Sequence, residues 1–514
     1  MTTPSIEVTL SCPGSTPQVT GAMPVIDQDA GQVRLQQVMA RARRGENIVI
    51  AGLGGSITNG DRARGEKRYI SQVYEWWNEK FPGQVRLINA GLGATGSGMG
   101  VHRIEKDLLD ENPDFIMVDF AVNDLGIASH QATLEGVVRK ILSQPNQPAV
   151  MLVYFAVKSG ATTQADFEPI AEHYQLAQVS YGDRIRQLVD AGEITLDDVF
   201  ADDVHPNTLG HTYAADFIKE YLDSVYNSLP ADIPMVVAIP DPLVTDTFQY
   251  TQVLNQRTFE PVITGDWTEG HFNRHTGAGW IGGQVGDELI FEGLLGTTFG
   301  IMFKQDGNVD NGMVEVWVDD ESPMKVDGYL PSSAGWYGPA PQFYLVVQGL
   351  PMTTHTLHVR IIDEKHPETG DNTNHVFELA NVFVDGALVD HLDDWHYIYT
   401  RSGDFDFHPV NTGEGDRATV SPAGDDPAEI VWHYRNFTDF EAVFHEVPED
   451  EAQRPAVCVS ADGLIWTVAE PEVESDATMT VYRLGGVTEA NYVKIVWGNP
   501  QGALGQVTIM RAEE

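Results

Sequence analysis

Between residues 30 and 228 the chain repeats one pattern: a short, nearly continuous apolar run followed by a polar or helical stretch. The runs are NIVIAGL (47–53), VRLINA (85–90), DFIMVDFAV (114–122) and AVMLVYFAV (149–157), with segments such as SQVYEWWNEKF (71–81) between them. A strand that is apolar on both faces must be covered on both, and strands alternating with helices pair in parallel through crossovers. Leu35, Val38, Met39 and Ala42 recur at i, i+3, i+4 and i+7, and Ile218, Leu222 and Val225 stripe a last helix that begins near Asn207. The pattern predicts an α/β domain over residues 1–228, a parallel sheet between two layers of helices.

The pattern then stops. SLPADIPMVVAIPDPL (228–243) carries four prolines and reads as a linker over 229–243. Beyond it helical periodicity nearly vanishes. Runs such as DELIFEGLL, GMVEVWVDD, HTLHVRIID and HVFELANVFVDG are separated by Gly, Pro, Asn and Asp turns, which is the pattern of an antiparallel β-sandwich over 244–388. AEIVWHYR, AVCVSADGLIWTV, ATMTVYRL and NYVKIVWG continue it into a second all-β domain over 389–514. A length of 514 residues, too great for one core, agrees with three domains.

The formal charge of -44, from 75 acidic against 31 basic side chains, repels nucleic acid and anionic membrane surfaces and favours a neutral partner. Only Cys12 and Cys458 occur, so no disulfide framework is indicated. The start, MTTPSIEVTLSCPG, lacks the basic and apolar regions of a signal peptide, and no apolar run nears the roughly 20 residues of a membrane helix. These features together predict a soluble, cytoplasmic protein with no nucleic-acid or membrane partner; they carry no signal of oligomeric state.

Four segments of the α/β part can carry chemistry. In IVIAGLGGSITNG (48–60) a strand runs into glycines and then Ser56, either a helix-capping serine or a nucleophile presented at the sheet edge. In DDVHPNTLGH (202–211), Asp202 and His205 lie three apart on a loop before a helix, so the carboxylate can take His Nδ1–H and leave Nε2 for a hydroxyl. Asp203 reaches the ring less well, and His211 is expected on the helix surface. NAGLGATGSGMG (89–100) places Gly91, Gly93 and Gly96 in G-x-G-x-x-G spacing with Asp119 further on, which fits a dinucleotide site or a loop aiming N–H groups at an oxyanion. In AVND (121–124), Asn123 stands just past the third strand, where a side-chain amide makes a good oxyanion donor.

In this order GGSIT, NAGLGATGS, AVND and DDVH resemble the four blocks of the SGNH/GDSL hydrolases, over roughly residues 45–228. The resemblance implies a three-layer α/β/α, flavodoxin-like esterase fold with no cofactor. It implies Ser56 as nucleophile and, through its own N–H, an oxyanion donor, His205 as base, Asp202 as the base's orienter and Asn123 as a further donor. Two positions depart from the family pattern. Gly54-Gly55-Ser56 stands where Gly-Asp-Ser is usual, and counting from Asn89 the second block reaches Ala94 rather than glycine. The Ala94 N–H serves as donor if its φ is negative, and Gly93 is the fallback.

Joined to sandwiches, such a domain resembles the carbohydrate O-acetylesterases, which implies an acetylated oligosaccharide or small ester as substrate. Trp267, Trp280, Trp317, Trp395, Trp432, Trp466 and Trp497 read mostly as core. Trp336 and Tyr337, in GWYGPAPQF, look loop-like and are the candidates for contacting a sugar. DGNVDNG (306–312) hints at a calcium loop, but Asn311 occupies its glycine position and Trp317 its closing glutamate position. His391 and His396 around Asp393 and Asp394 read as a solvated turn, so no metal is expected. The competing readings are a lipid or thioester hydrolase on the same triad, a carbohydrate-binding protein with an idle hydrolase domain, and a nicotinamide-dependent oxidoreductase.

Overall fold

The computed structural model describes residues 30–63, 65–230, 233, 239–271, 278–334, 338–392, 397–409, 418–423, 427–448, 454–476, 479–498 and 502–511. Trp336, Tyr337, Asp393, Asp394, Trp395 and His396 lie outside them.

The first domain is built on strands β1 (Ile48–Gly54), β2 (Val85–Gly91), β3 (Phe115–Asp119), β4 (Ala149–Tyr154) and β5 (Ala177–Ser180). They pair in parallel in the order β2-β1-β3-β4-β5. The helices are α1 (Ala30–Arg43), α2 (Ser56–Asn59), α3 (Tyr69–Lys80), α4 (Ser97–Asp107), α5 (His130–Leu142), α6 (Gln164–His173), α7 (Tyr181–Asp190), α8 (Leu196–Val199) and α9 (Thr208–Asn227). Alternate side chains of β1, β3 and β4 enter different cores. Ile48, Ile50, Phe115, Met117, Met151 and Val153 pack with α1, α3, α7 and α9. Ala51, Leu53, Ile116, Val118, Val150 and Leu152 pack with α4, α5 and α6. The apolar runs are continuous because both faces of the sheet are buried. Strand β1 lies between β2 and β3, so its carboxyl end is the switch point at which such sheets bind ligands.

The next segment forms one antiparallel sheet from β6 (Thr251–Leu254), β7 (Val262–Thr264), β8 (Thr268–His271), β9 (Ala278–Gly282), β10 (Glu288–Gln305), β11 (Met313–Val318), β12 (Met324–Asp327), β13 (Ala340–Ile362) and β14 (Phe377–Asp385). The long β10 and β13 pair along their length, with register shifts between Phe291 and Leu294 and between Gly296 and Thr298. Bulges bend a sheet, and here it closes over a core containing Trp267, Trp280, Phe291, Phe303 and Leu379. The remaining strands, from Leu388–Asp390 to Ala503–Met510, form two facing sheets around Trp432, Trp497 and Phe444. Trp280, Trp432 and Trp497 are therefore core residues. The DGNVDNG segment is a closed turn: Asp306 Oδ1 accepts from the Asn308 N–H (3.0 Å) and from Asn311 Nδ2 (2.8 Å).

Two sequence expectations are corrected. Cys458 is buried and disulfide-bonded, where no disulfide was indicated; Cys12, the chain's other cysteine, lies outside the described residues. His211 is fully buried rather than on a helix surface, because α9 turns that face toward α3.

The end of the linker is fastened to the first domain. The buried Glu135 carboxylate on α5 accepts from the N–H groups of Leu243 (2.5 Å), Val244 (2.8 Å) and Thr245 (2.7 Å) and from the Tyr174 hydroxyl (2.6 Å). Four and five positions along the same helix, Arg139 holds Gln249 (2.8 Å) and the Pro240 carbonyl (3.0 Å), and Lys140 holds Thr251 (2.7 Å). Buried charges so placed are costly to leave unpaired, so the β domains dock on the α/β domain in a defined way. Arg511, near the chain's end, returns to Asp246 (2.9 Å) and ties the second β domain to the same segment.

Candidate active site

Ser56 opens α2 directly after Gly55, at the carboxyl end of β1, and is 8% exposed. Its hydroxyl lies 2.8 Å from His205 Nε2. His205 sits in the loop between α8 and α9, which is braced by the Ala201 N–H to the His205 carbonyl (2.9 Å) and by Asn207, whose side chain caps α9 through Leu209 and Gly210. His205 Nδ1 faces both carboxylate oxygens of Asp202, at 3.0 and 3.1 Å. With an acceptor at Nδ1, the ring carries its proton there and presents the Nε2 lone pair to Ser56.

Asp202 is held from several sides. Partial burial raises its pKa, but this is outweighed by the backbone N–H groups of His205 (2.7 Å) and Val204 (2.9 Å), by Arg62 Nε (2.9 Å) and by the His205 ring. The carboxyl is held well below the usual carboxylate range, so it stays an anion beside the imidazole. Both hydrogen bonds of the His205 Nδ1 are to Asp202, while the neighbouring Asp203 accepts the Lys158 N–H at its backbone carbonyl (2.9 Å). Asp202 is thus the carboxylate that meets His205. Arg62 went unnoticed in the sequence, where nothing local links it to a residue 140 positions on.

Asn123 stands beside the Gly55-Ser56 turn. A Cβ on Gly55 would lie 2.1 Å from Asn123 Oδ1. The missing acidic residue of the first block is therefore a steric requirement, since any side chain at position 55 displaces the Asn123 amide. Ala94 is exposed and takes φ +60°, so the condition set for its N–H is not met. The turn is closed by the Thr95 hydroxyl on the Leu92 carbonyl (2.7 Å), which leaves Ala94 in the left-handed region. Gly93 faces Ser56: a Cβ there would lie 3.9 Å from Ser56 Cβ.

The first and last of the G-x-G-x-x-G glycines serve close packing. A Cβ on Gly91 would meet the Asn59 backbone nitrogen at 2.2 Å, and one on Gly96 would meet Asp124 Oδ1 at 1.9 Å. Asp124, beside Asn123, accepts the Ser97 N–H (2.9 Å) at the start of α4; burial pushes its carboxyl up to about 6 against that hydrogen bond. Asp119, the candidate ribose contact, is buried behind α2, where it accepts from the Thr58 hydroxyl (3.0 Å), itself paired with Tyr69 OH (2.8 Å). This arrangement gives no opening for a dinucleotide. A cavity of about 390 Å³ between α4 and the β domains is lined by Met99, Arg103, Gln252, Met302, Asn381 and Phe383, and not by Ser56, Asp202 or His205.

Comparison with known proteins places the chain in a family. The model of the GDSL-like lipase/acylhydrolase family matches residues 53–213. A solved two-domain esterase (CEX) active on acetylated mannans is 31% identical, with 69% of this chain and 95% of that chain covered and a TM-score of 0.62. The chain belongs to the GDSL-like lipase/acylhydrolase family. A structure of such an esterase co-crystallized with mannopentaose matches at 31% identity, covering 68% of this chain and 94% of that one, with a TM-score of 0.61. Axe2, an acetylxylan esterase from Geobacillus stearothermophilus, matches at 19% identity over 34% of this chain and 94% of its own, with a TM-score of 0.30. No curated protein matches the chain. This GDSL-family protein is a carboxylic ester hydrolase with appended β-sandwich domains. Among its described residues no helix is long and apolar enough to cross a membrane, and no group of three or more His, Cys, Asp or Glu is placed to hold a metal ion.

Proposed function

We propose that the protein removes O-acetyl groups from a neutral sugar or oligosaccharide through a Ser56-His205-Asp202 triad and an acyl-enzyme intermediate. The observation that carries this reading is the chain of contacts from Ser56 Oγ through His205 to Asp202, at 2.8 and 3.0 Å. Ser56 Oγ attacks the acetyl carbonyl as His205 Nε2 takes its proton, and Asp202 stabilises the imidazolium. The N–H groups of Ser56 and Gly93 and the Asn123 amide receive the negative oxygen that forms. Collapse expels the sugar hydroxyl, which takes the proton back from His205. Water activated by the same nitrogen then attacks the acetyl-serine and releases acetate.

The substrate class rests on the acetylated mannans of the two-domain relatives and on the net charge of -44, which disfavours anionic substrates. The first β domain supports it too. Phe343 packs on α4 so closely that a Cβ on Gly98 would lie 2.6 Å from its ring, and six residues upstream of Phe343 lies Tyr337. We assign the contact with the sugar to Trp336 and Tyr337, which lie outside the described residues. The cytoplasmic setting expected from the sequence fits poorly with a disulfide at Cys458, since the cytosol keeps thiols reduced.

The test is acetate release from acetylated manno-oligosaccharides beside acyl esters of increasing chain length. Acetyl esters should be preferred, Ser56→Ala should lose activity by about 10⁴-fold or more, and Trp336→Ala should reduce kcat/KM for the oligosaccharide far more than for a small aryl acetate. A preference for long acyl chains, or activity retained by Ser56→Ala, refutes the reading.

A further inference from the structure

Helix α4 carries two adjacent side chains that reach opposite ways. His102 points into the first β domain: its Nδ1 donates to the Gly98 carbonyl (2.6 Å) and its Nε2 meets Asp385 Oδ1 (2.8 Å) at the end of β14. The two side chains are 1% and 0% exposed, and the imidazole stacks on Phe383 at 4.1 Å. Arg103 points to the catalytic sheet. Its Nη1 donates to the Ala90 carbonyl and to Asp107 (both 2.8 Å), and its Nη2 donates to the Gly54 carbonyl (3.0 Å). Gly54 precedes the Gly55-Ser56 turn, and Ala90 pairs with Leu53 one register position away, before the loop carrying Gly93. One buried guanidinium therefore spans the ends of the two strands that supply the nucleophile and the oxyanion loop. No local signal in the sequence marks it, because both carbonyls are backbone atoms of other elements.

We propose that Arg103 is a positioning residue for the reaction at Ser56, setting the spacing between the nucleophile turn and the Gly93 loop, and that the first β domain holds it in place through Asp385 and His102. The inference rests on Ser56 being the nucleophile. A planar fork with fixed N–H directions holds two carbonyls and a carboxylate at once; a lysine ammonium on a flexible stem keeps the charge but not that geometry. The β domain thus matters even for an ester too small to touch it. Replacing the Asp385 carboxylate by an amide removes the charge-assisted contact that holds His102 and so loosens the helix that aims Arg103.

The test uses the full chain with a small aryl acetate and four variants: Arg103→Lys, Asp385→Asn, the two combined, and Ser56→Ala. Misplacement of reacting groups by about 1 Å can cost about 10²-fold, so Arg103→Lys should lower kcat by about that factor, and KM should change by less than about threefold. Asp385→Asn should lower kcat for the same ester about tenfold, and the double variant should be no worse than about Arg103→Lys alone, because both changes act through one element. Circular dichroism and melting curves identify the folded variants. A folded Arg103→Lys or Asp385→Asn protein with kcat within about twofold of the parent, whatever its melting temperature, overturns the proposal. Activity surviving in Ser56→Ala overturns instead the triad reading beneath it.

Discussion

Asp119 offers a pH-resolved test of how tightly the ground behind Ser56 is built. Burial pushes its carboxyl up to about 7, against the hydrogen bond from Thr58 and with a small push from Asp124. The folded value lies above the ordinary one of 3.8, so the fold holds a proton that the unfolded chain releases. The associated stability is fully present below about pH 4 and is lost as pH rises through about 7. Integrating that one proton between pH 5 and pH 8 gives a loss on the order of 2–3 kcal/mol. Asp119→Asn keeps an oxygen for the Thr58 hydroxyl and cannot ionise, so it should escape this loss. A difference of that size corresponds to a melting shift of about 5–10 °C for a domain of roughly 200 residues. The measurement is the melting temperature of parent and variant by calorimetry, followed through the α/β domain's transition from pH 5 to pH 8. Asp124, pushed up to about 6 by burial, and His211, pushed down to about 4 by burial, titrate in both proteins and largely cancel in the difference. The gap should widen in favour of Asp119→Asn as pH rises. A gap constant across that range would refute the reasoning, since it would mean that no proton is held at Asp119.

Three further outcomes are expected at the site itself. Asp202→Asn should lower kcat by on the order of 10³–10⁴, because an amide facing Nδ1 favours the wrong imidazole tautomer, whereas Asp203→Asn should stay within about twofold; the reverse order in steady-state assays would exchange their roles. Gly55→Ala should leave the melting temperature nearly unchanged, since the Asn123 side chain can swing aside, yet cost on the order of 10²–10³ in kcat. Its combination with Asn123→Ala should be no worse than either alone. Ala94→Gly removes a left-handed strain of about 1–2 kcal/mol and adds about 0.5–1 kcal/mol of chain entropy, so the melting temperature should hold or rise by a few degrees. A clear fall would show that the turn does not need φ +60°.

The layers of the first domain were legible because their signals are local: each strand is a run of apolar neighbours, and each helix a stripe at i, i+3 and i+4. Strand β5, AQVS (177–180), escaped notice because four residues with two polar members make no run. Asp202 and His205 were legible for the same reason, lying three apart in one loop. Block order pointed to Ser56, but its contact with His205 spans 149 residues, and only the sheet, by ending β1 opposite the loop before α9, makes it. The remaining decisions were tertiary. The left-handed backbone of Ala94, the burial of His211 and the demand for glycine at position 55 all follow from neighbours remote in the chain. Likewise Arg103 reaches Gly54 across 49 positions and His102 reaches Asp385 across 283. A residue's type and spacing express its own conformational and solvation preferences; which distant atom fills its last hydrogen bond depends on the packing of whole elements, and in this protein that packing aims the Gly55-Ser56 turn and joins it to the β domains.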